Sequence, residues 1–176
     1  MEFAGSASLT SSSSPASTHW NTDTGATAHM TPHRTWFHTY QPTRIPVRLA
    51  DGKLIYSAGV GTVLFQSVIR GEPGIQVEFS RVLHMPDLRN NLLTVLQLSR
   101  VGSIDVSITG SHMRFSRSGE LLFTGTINER NVGYLDGYTV QQATMPASAM
   151  LASPVSTLAV GIWVIEPICE EGGKGT

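Results

Sequence analysis

The sequence is poor in cysteine, in charge and in long apolar runs. Cys169 is the only cysteine among 176 residues, which excludes an internal disulfide framework and a cysteine-based zinc knuckle. No stretch reaches the roughly 18 uninterrupted apolar residues of a membrane span, and no basic segment leads into an apolar run near Met1. We therefore expect a soluble protein that is neither secreted nor membrane-bound.

Charge of either sign is also scarce. The 12 Lys and Arg residues are matched by 13 Asp and Glu residues, for a formal net charge of −1. A phosphate backbone is bound through a surplus of basic side chains, and this composition has none. Nucleic-acid binding by this segment alone is therefore disfavoured.

The chain is long enough for one domain with a substantial core and too short for two. Residues 1–18 contain the run Ser11–Pro15 among other small residues, which predicts a flexible leader. Residues 19–138 alternate short apolar stretches with turn signals and are predicted to form the domain. Residues 139–176 are interpreted as a linker and a tail that the pattern does not assign.

The domain is predicted to be all-β. Ile45, Val47 and Leu49 alternate in the manner of a half-buried strand, as do residues 104–108, and Asp51-Gly52 is a strong hairpin signal. The other predicted strands cover residues 60–68, 75–83, 113–115 and 121–127. One short helix is predicted near residues 91–101, where leucines recur at helical spacing.

One segment carries a candidate chemistry. In Trp20–Met30 the tripeptide Asp23-Thr24-Gly25 sets a carboxylate in a tight turn between small hydroxyl residues. Taken alone, Asp-x-Gly is ordinary turn chemistry. Its context is more specific, because Asp23–Met30 resembles the active-site segment of retroviral and retrotransposon aspartic proteases. The longer form resembles the copia-type Gag-Pol polyprotein, in which Asp-Ser-Gly-Ala is commoner than the Asp-Thr-Gly-Ala found here.

Later segments follow the order of the same family. Leu49–Gly52 resembles the flap hairpin, Gly59–Gly61 its return, and Val82–Leu88 the late strand and loop, so the resemblance spans roughly residues 20–135. It implies a closed, retropepsin-like β-barrel and aspartic-type endopeptidase activity. In the copia type this region precedes the integrase.

The resemblance also implies a role for each matching residue. Asp23 would carry the acid and base chemistry, Thr24 would brace the turn across a dimer axis, and Gly25 would let a substrate backbone approach. Ala26 and the flap residues would contact the substrate, the latter being Ala50, Asp51, Gly52 and Lys53. The supporting loop would be Leu92-Leu93-Thr94, with Thr where retroviral proteases carry Gly.

A single Asp-Thr-Gly motif implies a homodimer. Aspartic proteolysis uses two carboxylates about 3 Å apart that share one proton, and Asp51, Asp87, Asp105 and Asp136 lack the motif's setting. The second carboxylate would be Asp23 of another copy, related by a two-fold axis. The substrate would be the chain's own polyprotein, no metal or other cofactor is needed, and the expected location is the cytoplasm, within a virus-like particle if the element is active.

Two alternatives stay open at the level of sequence. His29, His33 and His38 lie within ten residues, but their spacing fits no compact zinc pattern, so local packing or solvent exposure is favoured. The second alternative is a catalytically inactive, truncated or domesticated retrotransposon β-barrel that serves as a structural or interaction module. The intact Asp23-Thr24-Gly25 favours the enzyme, whereas the unassigned tail favours the module.

Overall fold

The computed structural model describes residues 1–4, 17–141 and 162–165, and these residues are mostly β-sheet with one short helix. A 3-10 turn covers Arg34–Trp36 and the helix α1 covers Val95–Arg100. The strands in chain order are β1 Glu2–Ala4, β2 Trp20–Asp23, β3 Met30–Thr31, β4 Phe37–Gln41, β5 Pro46–Leu49, β6 Leu54–Tyr56, β7 Gly59–Ile69, β8 Glu72–His84, β9 Asn91–Thr94, β10 Asp105–Thr109, β11 His112–Arg117, β12 Glu120–Ile127, β13 Gly133–Leu135, β14 Gly137–Val140 and β15 Ile162–Ile165. No helix in these ranges is long and apolar enough to cross a membrane.

Most of the strands join one large sheet. Its neighbours run in the order β10-β11-β12-β13-β2-β9-β3-β8-β7-β14, with β4 paired to β7 and β15 paired to β8. A second sheet has the order β1-β5-β6. The all-β prediction with one short helix is confirmed. The predicted closure is not found in the described ranges, because β10 and β14 end the path without pairing with each other.

Tight turns explain where the long hairpins reverse. Between β7 and β8, Arg70 and Gly71 both have positive φ, at 54° and 85°, and Ser118 and Gly119 repeat the pattern between β11 and β12 at 51° and 84°. Two-residue turns of this kind match the twist of the flanking strands. The chain therefore reverses at residues 70–71, and β8 begins directly after them at Glu72.

The core has two parts. The larger cluster lies between β7, β8, β11 and β12, and its largest fully buried side chains are Trp20, Phe37, Phe65, Phe79, Phe115 and Phe123. The smaller cluster contains Met30, Val47, Leu49, Ile55 and Leu92 together with Ala4 and Ala28. This smaller cluster joins the Asp-Thr-Gly segment to the β5–β6 hairpin. It thereby fixes the position of the candidate site.

Three predictions need correction or completion. The residues Asn91–Thr94, predicted to be helical, form strand β9, and the helix begins only at Val95. Glu2–Ala4, within the predicted leader, form β1 and pair with β5. Strand β14 runs to Val140, two residues past the predicted end of the domain, and β15 lies parallel to β8 within the unassigned tail.

Candidate active site

The Asp-Thr-Gly turn follows directly from the end of β2. Asp23 is the last residue of this strand and is 7% exposed. The backbone N–H of Gly25 donates a 2.6 Å hydrogen bond to Asp23 Oδ1, which closes the turn around the carboxylate. Thr24 and Gly25 are exposed, while Ala26 is buried. The carboxylate is thus held at a strand end by a backbone donor, with its two following residues open to solvent.

Strand β9 supports this turn from the neighbouring position in the sheet. It lies parallel to β2, with Asp23 opposite Thr94, and Leu92 and Leu93 are fully buried. The side-chain oxygen of Thr94 accepts a hydrogen bond from the backbone N–H of Gln97 and so caps α1. The Thr that replaces the retroviral Gly therefore has a structural function, because it ends the strand and begins the helix.

His29 connects the turn segment to the supporting strand. Its Nδ1 accepts a 3.1 Å hydrogen bond from the backbone N–H of Thr94, and its ring lies 5.7 Å from the ring of Phe79. Burial lowers the pKa of His29 from 6.5 to about 3, so the imidazole is neutral at ordinary pH. The sequence pattern alone predicts only local packing or solvent exposure for His29, with metal binding less favoured. Its position six residues after Asp23 was the available signal.

The predicted flap is a hairpin. Strands β5 and β6 pair in antiparallel fashion, Gly52 has a φ of +84°, and the backbone N–H of Lys53 donates to Asp51 Oδ1 at 2.9 Å. Ala50, Asp51, Gly52 and Lys53 are all exposed. The hairpin strands pack on the smaller core cluster together with Ala28 and Met30. Strand β1 pairs with β5 of the hairpin on one edge and is hydrogen-bonded on the other edge to Thr27, which follows the turn.

An open cleft adjoins the turn on the side of α1. Its volume is about 330 Å³, and its lining residues are Ala26, Thr27, Thr94, Leu96, Gln97, Arg100 and Val101. Two predicted site residues, Ala26 and Thr94, therefore face the same space. The flap residues do not line this cleft.

The other histidines and aspartates have separate contacts. His33 stacks on Trp36 with ring centroids 4.0 Å apart, and His38 Nε2 lies 3.1 Å from the carbonyl oxygen of Val140. Each of these two rings thus has a local contact of its own. Asp136 accepts hydrogen bonds from the hydroxyls of Thr124 and Thr126. Within the described ranges, no three His, Cys, Asp or Glu side chains come close enough together to hold a metal ion.

Comparison with known protein families matches the part of the sequence that contains this site. Residues 20–103 match the family model described as Pol polyprotein, beta-barrel domain. Over these residues, which are slightly less than half of the chain, the sequence is similar to a retrotransposon Pol polyprotein region. The match runs from the start of β2 to just beyond α1, so it contains the Asp-Thr-Gly turn, the β5–β6 hairpin, His29 and the supporting strand. No curated protein and no solved structure matches the chain.

Proposed function

We propose that this chain is part of a copia-type retrotransposon Pol polyprotein and is an aspartic endopeptidase, active as a homodimer with an Asp23/Asp23 dyad. The observation that carries the proposal is the setting of Asp23, which is buried at the end of β2 and accepts the Gly25 N–H at 2.6 Å. A structural Asp in an exposed turn has no need of such burial. The substrate is the polyprotein itself, and the proposed location is the cytoplasm or a virus-like particle.

In the proposed reaction the two aspartates share one proton and act as a unit. The ionised carboxylate takes a proton from a water molecule, whose oxygen attacks the scissile carbonyl carbon, while the protonated carboxyl donates to the carbonyl oxygen. The tetrahedral intermediate then collapses with cleavage of the C–N bond and protonation of the leaving nitrogen. The dyad ends with one proton, as it began.

Strands β2 and β9 serve this chemistry by holding the carboxylate in place. A dyad tolerates little displacement, because its two oxygens must lie within hydrogen-bonding distance of one water. Asp23 pairs with Thr94 of the parallel strand β9, and Thr94 in turn is hydrogen-bonded to His29. These two contacts hold the turn on the side of β9. The open side of the turn, at Thr24 and Gly25, is the side available to the partner copy and to the substrate.

The decisive experiment compares polyprotein processing by the wild type and by Asp23→Asn. The full chain is fused to flanking sequence and incubated at mildly acidic pH, and cleavage products are followed by mass spectrometry. We expect Asp23→Asn to abolish processing, a loss of at least about a thousandfold, since an amide can neither accept nor donate the shared proton. Asp105→Asn, at an exposed position on β10, is the matched control and retains the wild-type rate.

The alternative is an inactive β-sheet module derived from the same polyprotein. It is favoured by the presence of β1 between the turn and the hairpin, where an extended substrate is expected to lie. Equal processing, or equal absence of processing, by folded wild type and folded Asp23→Asn would contradict the endopeptidase and leave this module. Near-ultraviolet circular dichroism establishes that both proteins are folded.

A further inference from the structure

Strand β1 has bonding partners on both of its edges. One edge pairs in parallel with β5, with Glu2 opposite Val47, Phe3 opposite Arg48 and Ala4 opposite Leu49. The other edge meets the segment that follows the Asp-Thr-Gly turn. There Phe3 donates its N–H to Thr27 Oγ1 at 2.7 Å, and its carbonyl oxygen accepts the Thr27 N–H at 3.0 Å. Residues 2–4 therefore fill a slot that is one strand wide.

Strand β1 has one buried face and one exposed face. Ala4 is 1% exposed and belongs to the smaller core cluster, beside Val47, Leu49 and Ile55. Phe3 points the opposite way and is 44% exposed. Alternation of this kind is expected of a strand. The position of Ala4 can hold only a small side chain without displacing its neighbours.

A side-chain hydrogen bond accompanies the backbone pairing of β1 with the segment at Thr27. The hydroxyl of Thr27 accepts from the Phe3 N–H and donates to the carboxylate of Glu2 at 2.5 Å. The same hydroxyl is thus hydrogen-bonded to the backbone of Phe3 and to the carboxylate of Glu2, which lies two residues before Ala4. The slot thus offers a hydrogen-bond donor to an acidic side chain and a buried position to a small side chain two residues later, while the side chain between them is 44% exposed.

We propose that Thr27 and the outer edge of β5 form a binding slot for an extended polypeptide with an acidic and a small residue two positions apart, and that Glu2–Ala4 are its intramolecular occupant. Residues 2–4 then act as a built-in competitor that must leave before another strand binds. Binding by strand addition draws its affinity from main-chain hydrogen bonds and its selectivity from alternate side chains. If the slot is also part of the substrate site, which rests on the proposed function, displacement of β1 is required for cleavage.

A tethered competitor has an effective concentration on the order of millimolar. A free peptide of the same sequence, present at micromolar concentration, is therefore outcompeted for the slot by residues 2–4 of the intact chain. Removal of residues 1–4 exposes the slot and should raise the affinity for that peptide by at least about tenfold.

The test measures peptide binding in the Asp23→Asn background, where no cleavage can occur. The probe is a fluorescein-labelled peptide that copies residues 1–8, titrated against the full chain and against the chain lacking residues 1–4. Fluorescence anisotropy is expected to show binding at least about tenfold tighter for the shortened chain. A peptide with Ala4→Asp should bind at least about tenfold more weakly than the parent, and one with Phe3→Ser should stay within about threefold of it.

A second measurement uses the full Asp23→Asn chain and needs no deletion. Excess peptide should speed hydrogen exchange at the Phe3 amide while the Leu93 amide in β9 stays protected. The proposal is overturned if the shortened chain, shown to be folded, binds no better than the full chain. If the shortened chain does not fold, unchanged exchange at Phe3 under millimolar peptide overturns it. If Asp23→Asn abolishes processing but the peptide shows neither tighter binding to the shortened chain nor an effect on exchange, the endopeptidase proposal holds and only the slot proposal is contradicted.

Discussion

The imidazole of His29 has its tautomer set by its partner. A backbone N–H donates to Nδ1, so the ring proton is on Nε2 and Nδ1 is a pure acceptor. Protonation of Nδ1 would break this bond and place a charge in a site that is 1% exposed. Burial therefore holds the pKa of His29 at about 3, against 6.5 in an exposed setting.

A stability change with pH follows, and its sign is fixed by this lowered pKa. The unfolded chain binds a proton at His29 below pH 6.5, whereas the folded chain binds it only near pH 3. The stability that depends on neutral His29 is therefore complete above pH 6.5 and is lost between 6.5 and 3. The slope is about 1.4 kcal/mol per pH unit, so on the order of 2 to 3 kcal/mol is lost between pH 6.5 and 4.5.

The variant His29→Asn isolates this effect. The Asn Oδ1 can take the place of Nδ1 as acceptor for the Thr94 N–H, yet it does not titrate in this range. Urea unfolding at several pH values should show a flatter pH dependence for His29→Asn than for the wild type. A residual slope is expected from His84, whose pKa burial also lowers. His29→Leu removes the acceptor, and its free energy of unfolding should be lower than that of the wild type at every pH. If the free energy of unfolding of wild type and of His29→Asn depended on pH with the same slope, His29 would not be the titrating group.

At the scale of elements, the junction of β9 and α1 shows why periodicity misled. Leu92, Leu93 and Leu96 have helical spacing, but residues 91–94 are taken up as a parallel strand beside β2, and Leu96 is 43% exposed. Long-range pairing overrides local preference in such short segments. Thr94-Val95-Leu96-Gln97 fits the pattern of a helix capping box and could have located the helix start. Here the box is one-sided, because Thr94 gives its N–H to His29 and the buried Gln97 Oε1 has no hydrogen-bond partner among the described residues.

The cap predicts distinct outcomes for two substitutions at Thr94. Thr94→Val keeps the buried volume but removes the acceptor of the Gln97 N–H, and should cost about 1 kcal/mol of unfolding free energy. Thr94→Ser keeps the acceptor and loses a buried methyl group, at a similar cost of about 1 kcal/mol. Hydrogen exchange separates them, because the Gln97 amide should exchange faster only in Thr94→Val. Equal protection of this amide in both variants would show that the cap does not stabilise α1.

At the scale of the whole molecule, the sequence predicts the positions of turns but not the pairing of strands that are distant along the chain. Asp51-Gly52 identifies its hairpin because the turn needs a positive φ at Gly52, a conformation that glycine adopts without strain. The pairing of β2 with β9 joins residues about 70 positions apart, and no local pattern specifies it. The insertion of Glu2–Ala4 beside β5 was missed for the same reason, since three residues carry too little periodicity to identify a strand.

A dimeric enzyme makes a quantitative prediction about mixed populations. If each site needs Asp23 from two copies, random assortment of equal amounts of wild type and Asp23→Asn leaves about a quarter of the dimers with a complete dyad. At constant total protein, processing should then fall to about a quarter of the wild-type rate. A monomer that acts alone would retain about half.

The two proteins are unfolded and refolded together so that copies assort freely, and the matched mixture with Asp105→Asn should keep the full rate. A value near half would exclude the shared dyad, whereas a quarter would require that the catalytic carboxylates come from separate chains.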